Sequence, residues 1–343
     1  MTYVRNAWYV AAFAHDVLAQ RPSGVRVLNE PIVLWRNTAG ELTALEDRCI
    51  HRLAPLSLGR CEGERLRCMY HGWLYDRGGR VVEIPGQSRL SSNLGVRSYP
   101  VLQRHSWIWI WMGDAAAADE HLIPPIVGME DVNRDDYVFG YGQFDVDADA
   151  RLVYENLLDL SHISFLHAET FKMGPIWAQE HPNVTELGRS VRSERWLTSG
   201  SQNGSVYGDH LGDSHFCCDC FVPGIVILSN RTYPSGTAAS LNGHAPDLNE
   251  PAHAGVANHA ITPLTDKTAR QFYLIAAPRR GEELAYDTTN EVRAFDEDKK
   301  MIEAQQRNLD ATPGYRFVSA AADRGVVLFD RLTEKLVRAE TAA

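Results

Sequence analysis

Cys49 and His51 form a Cys-x-His pair, and Cys68 and His71 form a Cys-x-x-His pair a short distance downstream. Thiolates and imidazoles are metal ligands, and two of each satisfy the tetrahedral preference of zinc. Zinc sites, however, usually pair like with like, as Cys-x₂₋₄-Cys followed by His-x₃₋₅-His. Here each half contributes one thiolate and one imidazole, so the order favours a different metal centre.

This division suits a two-iron cluster in which both cysteines bind one iron and both histidines bind the other, as in a Rieske [2Fe–2S] centre. Neutral imidazoles leave their iron less negatively surrounded than thiolates do, so an added electron is expected on the histidine side. We therefore predict that Cys49, His51, Cys68 and His71 hold the cluster. His51 and His71 then mark the point at which electrons leave.

A second set of polar side chains lies in "RLVYENLLDLSHISFLHAE", residues 151–169. They recur at helical spacing in an otherwise apolar segment, although the solvated face of an ordinary amphipathic helix has the same pattern. The set comprises Glu155, Asn156, Asp159 and His162. His167 lies about 140° round an ideal helix from His162. The two histidines can bind one metal only if the helix distorts or ends between them.

Two histidines and one carboxylate form the facial triad of non-haem Fe(II) oxygenases. A helix is predicted over 290–309, "NEVRAFDEDKKMIEAQQRNL". On its wheel Asp298 lies within about 60° of Phe295, the centre of the apolar face, whereas Asp296 and Glu297 lie about 100° and 160° away. A carboxylate that faces inward is costly unless a metal or a partner holds it. Asp298 is therefore the predicted third ligand, with Asp296 and Glu303 as alternatives.

The elements around these residues indicate an α+β protein of two domains. Residues 25–115 read as short strands and turns, and both ligand pairs fall in loops between predicted strands. The segment "GDAAAADEHLIPP" (113–125) has a linker composition. We place an all-β domain at 1–118 and a mixed α and β domain at 119–343. The second domain has predicted helices over 150–167 and 290–309 and strands between 190 and 280.

Composition excludes several classes of protein. The net charge is −10 without a basic block, which argues against nucleic acid as a partner. No apolar run approaches the ~20 residues of a spanning helix, and the short stretch Ala7 to Ala14 is a poor signal peptide, so a cytoplasmic protein is expected. The six cysteines do not suggest a disulfide scaffold. Residues 235–255 read as a long surface loop, either a lid or a disordered excursion.

The sequence resembles the oxygenase (α) component of Rieske non-haem iron oxygenases, and more narrowly the vanillate and dicamba O-demethylase branch. The motifs that carry the resemblance span the chain: "VRNAWYVAA", "CIH…CMYHGW", "IWIWMGD", "ENLLDLSHISFLH" and "FDEDKKMIEAQQRN". The resemblance implies a helix-grip (START-like) antiparallel sheet in the second domain. It also implies mononuclear Fe(II) on His162, His167 and Asp298.

Further roles are implied by the same resemblance. Asp159 would bridge a cluster histidine of a neighbouring subunit to the mononuclear site in a head-to-tail homotrimer, with Asn156 close by. His259, in "ANHAITP", aligns with a substrate-facing position, although a lone histidine is more often structural. Relatives commonly carry Pro in both metal loops where this chain has Ile50 and Met69, which puts loop rigidity and cluster potential in question.

The expected activity follows from these residues and the resemblance. A separate flavin- or ferredoxin-type reductase would supply electrons from NADH, because the chain has no dinucleotide-binding fingerprint. With O₂ as co-substrate, the expected reaction is O-demethylation of a methoxy-aromatic acid to a phenol and formaldehyde. Ring hydroxylation, N-demethylation or methyl hydroxylation of another aromatic compound are alternatives. An electron carrier or ligand-binding module without the second iron is an alternative of another class.

Overall fold

The computed structural model describes residues 3–133, 135–172, 175–179, 181–198, 212–246, 254–279, 281 and 285–342. The chain divides into two units. The first contains Tyr3–Ile123 and Thr262–Asp266, and the second contains Pro124–Ile261 and Lys267–Ala343. The domain limits 1–118 and 119–343 stay a prediction. In the described part of the chain, no helix is long and apolar enough to cross a membrane.

The first unit is built from strands, as predicted. Within its described residues they form three antiparallel sheets, with the orders β1-β10-β9, β2-β3-β4 and β5-β6-β7-β8. The strands are β1 (Trp8–Phe13), β2 (Ser23–Val27), β3 (Glu30–Arg36), β4 (Leu42–Glu46), β5 (Arg60–Glu62), β6 (Arg65–Arg67), β7 (Leu74–Tyr75), β8 (Val81–Glu83), β9 (Val101–Arg104) and β10 (Trp107–Trp111).

Two of these strands are buried along their whole length. Every residue of β1 and of β10, "WIWIW", is buried, so neither strand shows the polar alternation of a half-exposed sheet. The rings of Trp8 and Trp111 meet edge to face, with centroids 5.5 Å apart. Large aromatic side chains bury much apolar surface, which is how this small unit obtains its core.

The second unit contains a seven-stranded antiparallel sheet in its described residues, with the order β11-β17-β16-β15-β14-β13-β12. This confirms the predicted mixture of helices with an antiparallel sheet. The strands are β11 (Tyr137–Val146), β12 (Asn183–Leu187), β13 (Ser190–Leu197), β14 (Asp213–Phe221), β15 (Ile225–Tyr233), β16 (Ala254–Thr265) and β17 (Thr268–Pro278). The helices are α1 (Ala150–Leu158), α2 (Ala168–Phe171), α3 (Ile176–Gln179), α4 (Thr237–Ser240), α5 (Thr289–Ala311) and α6 (Arg324–Ala342).

Hydrogen bonds from α5 fix the start of α1. Glu303 Oε1 accepts a hydrogen bond from the backbone N–H of Asp147 at 3.1 Å, and Gln306 Oε1 accepts one from Asp149 N–H at 3.0 Å. The Asp149 carboxylate in turn caps α1 by accepting from Arg151 N–H at 2.9 Å. These hydrogen bonds therefore fix the position of α1 relative to α5, although the two helices are distant in sequence.

The sequence-based elements differ from the structure in three places. The helix predicted over 150–167 ends at Leu158. The predicted loop 235–255 contains α4 and the first residues of β16, while 247–253 lie outside the described residues. Helix α6 was not predicted from the sequence. The helix predicted over 290–309 is present as α5.

Candidate functional site

The two predicted cluster loops of the first unit share one backbone conformation. The carbonyl oxygen of Cys49 accepts a hydrogen bond from Leu53 N–H at 2.7 Å, and that of Cys68 accepts one from Gly72 N–H at 2.9 Å. In each loop the donor residue has a positive φ, 58° at Leu53 and 76° at Gly72. Each cysteine therefore begins a tight turn that a residue in the left-handed region closes.

The four predicted cluster ligands meet at these turns. The Cys49 and Cys68 side chains are both 2% exposed, and the rings of His51 and His71 lie 4.5 Å apart between centroids. His51 Nδ1 is buried and has no hydrogen-bond partner within the described part of the chain. A buried imidazole nitrogen without a partner is costly unless a metal binds it. Two buried thiols beside two imidazoles, one with an unpaired nitrogen, therefore fit a [2Fe–2S] cluster.

Tyr75 is a further residue of this site that the sequence did not reveal. Its hydroxyl donates a hydrogen bond to Cys49 Sγ at 3.1 Å and accepts one from Ile50 N–H at 3.2 Å. Burial raises the pKa of Tyr75 well above its ordinary value, so the phenol keeps its proton and remains a donor. A hydrogen bond to a ligating sulfur is one of the factors that set the potential of such a cluster.

In the second unit the end of α1 positions the two predicted iron-binding histidines. Asp159 has an extended conformation, φ −106° and ψ 94°, and stops the helix. His162 then lies in a 3₁₀ turn, Leu160–Ser164, and His167 is the residue that precedes α2. The α-helix therefore ends before both histidines, and the 3₁₀ turn that contains His162 ends at Ser164, so the chain between His162 and His167 departs from an ideal helix as the sequence required.

Hydrogen bonds fix which nitrogen of each histidine carries the proton. His162 Nδ1 donates to the carbonyl oxygen of Asp159 at 2.6 Å, and His167 Nδ1 donates to Glu297 Oε2 at 2.8 Å. In a neutral ring the Nε2 atom then keeps its lone pair. Both Nε2 atoms face Asp298 Oδ1, at 3.5 Å from His162 and 3.1 Å from His167.

These three side chains form one candidate metal-binding group. One ligand atom from each of His162, His167 and Asp298 lies within 4.8 Å of the others. Asn156 Nδ2 donates a hydrogen bond to Asp298 Oδ1 at 3.0 Å and so orients the carboxylate. Two imidazoles and a carboxylate that converge in this way fit the facial arrangement of a non-haem Fe(II) site.

The other acidic candidates lie elsewhere. Asp296 is exposed, and Glu303 accepts the hydrogen bond from Asp147 N–H described above. Glu155, which shares the polar stripe of α1, forms an ion pair with Arg151, and burial raises the pKa of Glu155 to about 7. Asp159 directs its carboxylate to Ser161, accepting from its N–H at 2.9 Å and its hydroxyl at 3.0 Å.

A largely apolar cavity adjoins the metal-binding group. His162, His167 and Asp298 line it together with apolar side chains from α1, α5 and the sheet. His259 also lines it and is 2% exposed, and its Nδ1 accepts a hydrogen bond from Gln271 Nε2 at 3.2 Å. Burial lowers the pKa of His259 to about 4, so this ring is neutral near pH 7. Beyond the metal-binding residues, the lining is Leu157, Leu160, Ile163, Phe171, Trp177, Phe216, Leu228, Ser229, Ala257, His259, Ile275, Tyr286, Glu291, Ala294 and Phe295.

Each of the two units matches a known protein family. Residues 7–100 match the Rieske [2Fe-2S] domain, and residues 146–339 match the vanillate O-demethylase oxygenase C-terminal domain. The chain belongs to the Rieske oxygenase family. It is therefore the terminal oxygenase component of a multicomponent system, with a [2Fe–2S] cluster and a mononuclear non-haem iron as cofactors and a separate reductase as electron source.

Curated relatives of this Rieske oxygenase act on different substrates. The iron-sulfur subunit of a toluene-4-sulfonate monooxygenase system from Comamonas testosteroni is 32% identical, with 98% of each chain covered. A vanillate O-demethylase oxygenase subunit from Pseudomonas sp. (strain HR199 / DSM 7063) is 31% identical, with 99% of this chain and 97% of the relative covered. Among solved structures, dicamba monooxygenase bound to dicamba superposes with a TM-score of 0.83 at 28% identity, and both chains are covered completely.

Two residues beside the candidate iron site of the Rieske oxygenase were not predicted from the sequence. Glu297 accepts the Nδ1 proton of His167, and its Oε1 accepts a hydrogen bond from Thr170 Oγ1 at 2.6 Å. A carboxylate behind a metal-binding histidine fixes the ring and raises its basicity. On the helical wheel Glu297 lies about 160° from Phe295, on a side of α5 whose tertiary contacts with His167 and Thr170 the sequence does not show. The adjacent acids Glu297 and Asp298 therefore contact the two ring nitrogens of His167, Glu297 at Nδ1 and Asp298 at Nε2.

Proposed function

We propose that this Rieske oxygenase removes the methyl group of an aromatic methyl ether, giving a phenol and formaldehyde. The observation that carries the proposal is the convergence of His162, His167 and Asp298 at the wall of a mostly apolar cavity. Vanillate O-demethylase and dicamba O-demethylase components among the relatives support this reaction class. Oxygen inserted into a methyl C–H bond would give a hemiacetal, which collapses to the two products.

The residues of the chain have separate roles in this proposal. Cys49, His51, Cys68 and His71 hold the cluster, and His162, His167 and Asp298 hold the iron. When bound, the cluster supplies single electrons and the iron activates O₂. Asn156 orients the carboxylate ligand. The apolar walls hold the aromatic ring, fix the position of its methyl group and exclude water.

His259 is proposed as a substrate-facing donor. Because its Nδ1 accepts from Gln271, the proton of the neutral ring is on Nε2. Its side chain lines the cavity, so this N–H can donate to an oxygen of a bound arene. His259 would act as a neutral hydrogen-bond donor and not as a positive charge, since burial lowers its pKa to about 4.

We propose in addition that the active form is a head-to-tail homotrimer in which Asp159 bridges to a cluster histidine of the next subunit. His71 is exposed beside two exposed side chains, Met69 at 54% and Tyr70 at 64%, which supports a docking surface at the cluster. Light scattering tests the trimer. A monomeric protein with full turnover would contradict it.

A reconstituted assay tests the reaction. The holoenzyme, a surrogate reductase, NADH and a panel of methoxyarenes are followed by O₂ uptake and formaldehyde release. We expect formaldehyde in step with O₂ consumption for at least one methoxyarene. A ring-hydroxylated product without formaldehyde would refute O-demethylation. Methyl hydroxylation is a second candidate because of the toluene-4-sulfonate monooxygenase relative, and a benzylic alcohol from a methylarene would identify it.

Metal analysis tests the ligand assignment. The wild-type chain should contain about three irons and Asp298→Ala about two, with unchanged cluster absorbance. Retention of the third iron in Asp298→Ala would contradict the assignment of this ligand. The exposed Asp296→Asn variant on the same helix is the matched control and should retain all of the iron.

A further inference from the structure

One face of α5 forms a continuous wall of the substrate cavity. Glu291, Ala294, Phe295 and Asp298 all line the cavity, and their spacing of three, four and seven residues places them on one side of a helix. Glu291 therefore lies two turns from the carboxylate of the metal-binding group, about 10 Å along the helix axis. Between them, Ala294 leaves space and Phe295 offers an aromatic surface. The wall has the length of one substituted benzene ring with a carboxyl group at each end.

The carboxyl group of Glu291 is only half satisfied. Its Oε1 accepts a hydrogen bond from Tyr286 Oη at 2.6 Å, whereas Oε2 is buried and has no hydrogen-bond partner among the described residues. Tyr286 is itself held by its backbone N–H, which donates to Phe139 O at 3.1 Å. A buried acceptor without a partner is unfavourable, and the contact with Tyr286 accounts for one oxygen only. The second oxygen is available to a ligand in the cavity.

The charges around the cavity decide which ligand suits this oxygen. Among the described residues that line the cavity, none is a lysine or an arginine. His259 is neutral near pH 7. Burial raises the pKa of Glu291, and a cationic donor beside Oε2 would oppose that shift and keep the carboxylate ionised. At the Glu291 end of the cavity, away from the proposed iron site, a carboxylate or sulfonate on the ring would thus find no positively charged side chain among the described lining residues. A hydrogen-bond donor would instead satisfy Oε2.

We propose that Glu291 determines substrate specificity by accepting a hydrogen bond from an amino or hydroxyl group on the end of the arene opposite its reacting methyl group. The inference rests on the proposed function, because it takes this cavity as the substrate site. It replaces the methoxy-aromatic acid expected from the sequence with a neutral or cationic arene. Ser229 and His259 remain as the other polar side chains on the sheet side of the cavity.

Calorimetric titration of the anaerobic holoenzyme without reductase tests this preference independently of turnover. The probes share one ring and differ only in the group opposite the methoxy substituent: 4-methoxybenzylamine, 4-methylanisole and 4-methoxybenzoate. We expect the amine to bind most tightly and the benzoate least tightly. In Glu291→Gln the advantage of the amine over 4-methylanisole should fall by about tenfold, since the amide oxygen of glutamine still accepts a hydrogen bond but carries no negative charge to strengthen it.

Asp310→Asn is the matched control, because it removes an exposed carboxylate from the same helix and should leave the order of affinities unchanged. The wild-type order by itself tests the proposal if Glu291→Gln does not fold. Tightest binding of 4-methoxybenzoate, or an unchanged amine advantage in a folded Glu291→Gln variant, would overturn it. The expected order of affinities without formaldehyde in the turnover assay would support this proposal and overturn O-demethylation. Rapid formaldehyde release from a tightly bound benzoate would support O-demethylation and overturn the proposed role of Glu291.

Discussion

Asn156 Nδ2 donates a hydrogen bond to Asp298 Oδ1 over 3.0 Å, which ties α1 to the carboxylate that both metal-site histidines approach. The same oxygen lies 3.1 Å from His167 Nε2, so the amide restricts the side chain to one orientation. Asn156 therefore positions the carboxylate of Asp298, the proposed third metal ligand, although Asn156 does not belong to the candidate metal-binding group itself.

Asn156→Ala should weaken iron binding by about 10- to 100-fold, the usual cost of losing a residue that orients a metal ligand. The measurement is iron content after dialysis against graded chelator, with cluster absorbance as the internal reference. Asn308→Ala, an exposed substitution on α5, is the control and should keep its iron. Equal iron retention in both variants would show that Asp298 is positioned without the amide.

Glu297→Gln should also lower iron affinity by about 10- to 100-fold, because the carboxylate that accepts from His167 Nδ1 at 2.8 Å would lose its charge. Thr170→Val removes only the hydrogen bond to Glu297 Oε1 and should have a smaller effect in the same direction. Chelator dialysis again measures the affinity. If Thr170→Val lost more iron affinity than Glu297→Gln, the threonine and not the charge of Glu297 would be the main support of His167. Glu334→Gln on α6, exposed and remote in sequence, serves as control.

The contrast between Asp298 and Glu297 shows what the sequence could predict. The helical wheel identified Asp298, because inward orientation depends only on spacing along one helix. Glu297 was missed, because its role depends on where α2 lies against α5, and that arrangement is fixed by long-range contacts. The wheel also left Glu303 open, since its hydrogen bond with Asp147 N–H is a tertiary interaction. Tyr75 was not predicted for the same reason, because its hydrogen bond to Cys49 Sγ is also a tertiary interaction between separate segments of the chain.

Tyr75→Phe should lower the reduction potential of the cluster, because it removes a hydrogen bond of 3.1 Å to Cys49 Sγ that stabilises added negative charge. The potential is measured by a redox titration followed by electron paramagnetic resonance. Tyr70→Phe, at an exposed ring beside His71, is the matched control and should leave the potential closer to wild type. An unchanged potential in Tyr75→Phe would mean that the phenol serves packing alone.

Asp159→Asn should keep both metal centres yet lose most turnover, since an amide preserves the extended residue that ends α1 but removes the charge proposed to bridge subunits. Iron content and cluster absorbance establish the first part, and formaldehyde release establishes the second. Ser161→Ala is the control for local structure, because Ser161 donates both hydrogen bonds to the carboxylate. Full turnover in Asp159→Asn would refute the bridging role.

His215 supplies a prediction about pH and stability that is independent of both metal sites. This residue of β14 is 2% exposed, its Nδ1 has no hydrogen-bond partner in the residues that the structure describes, and its ring packs on Trp196 with centroids 5.0 Å apart. Burial, with Arg231 and Arg192 nearby, lowers the pKa of His215 from 6.5 to about 4. The unfolded chain therefore binds a proton more readily than the folded chain between these two values. Stability is lost as the pH falls from 6.5 towards 4.

At pH 5 this difference corresponds to about 2 kcal/mol for a single histidine. His215→Phe keeps an aromatic ring against Trp196 and removes the titration, so its free energy of unfolding should change less between pH 7 and pH 5 than that of the wild type. Urea unfolding at the two pH values measures the change, and His181→Gln, at an exposed position, controls for the loss of a histidine. Because the readout is a difference between two pH values, a constant packing cost of the phenylalanine cancels. Equal pH dependence in His215→Phe and wild type would place the proton uptake on another group.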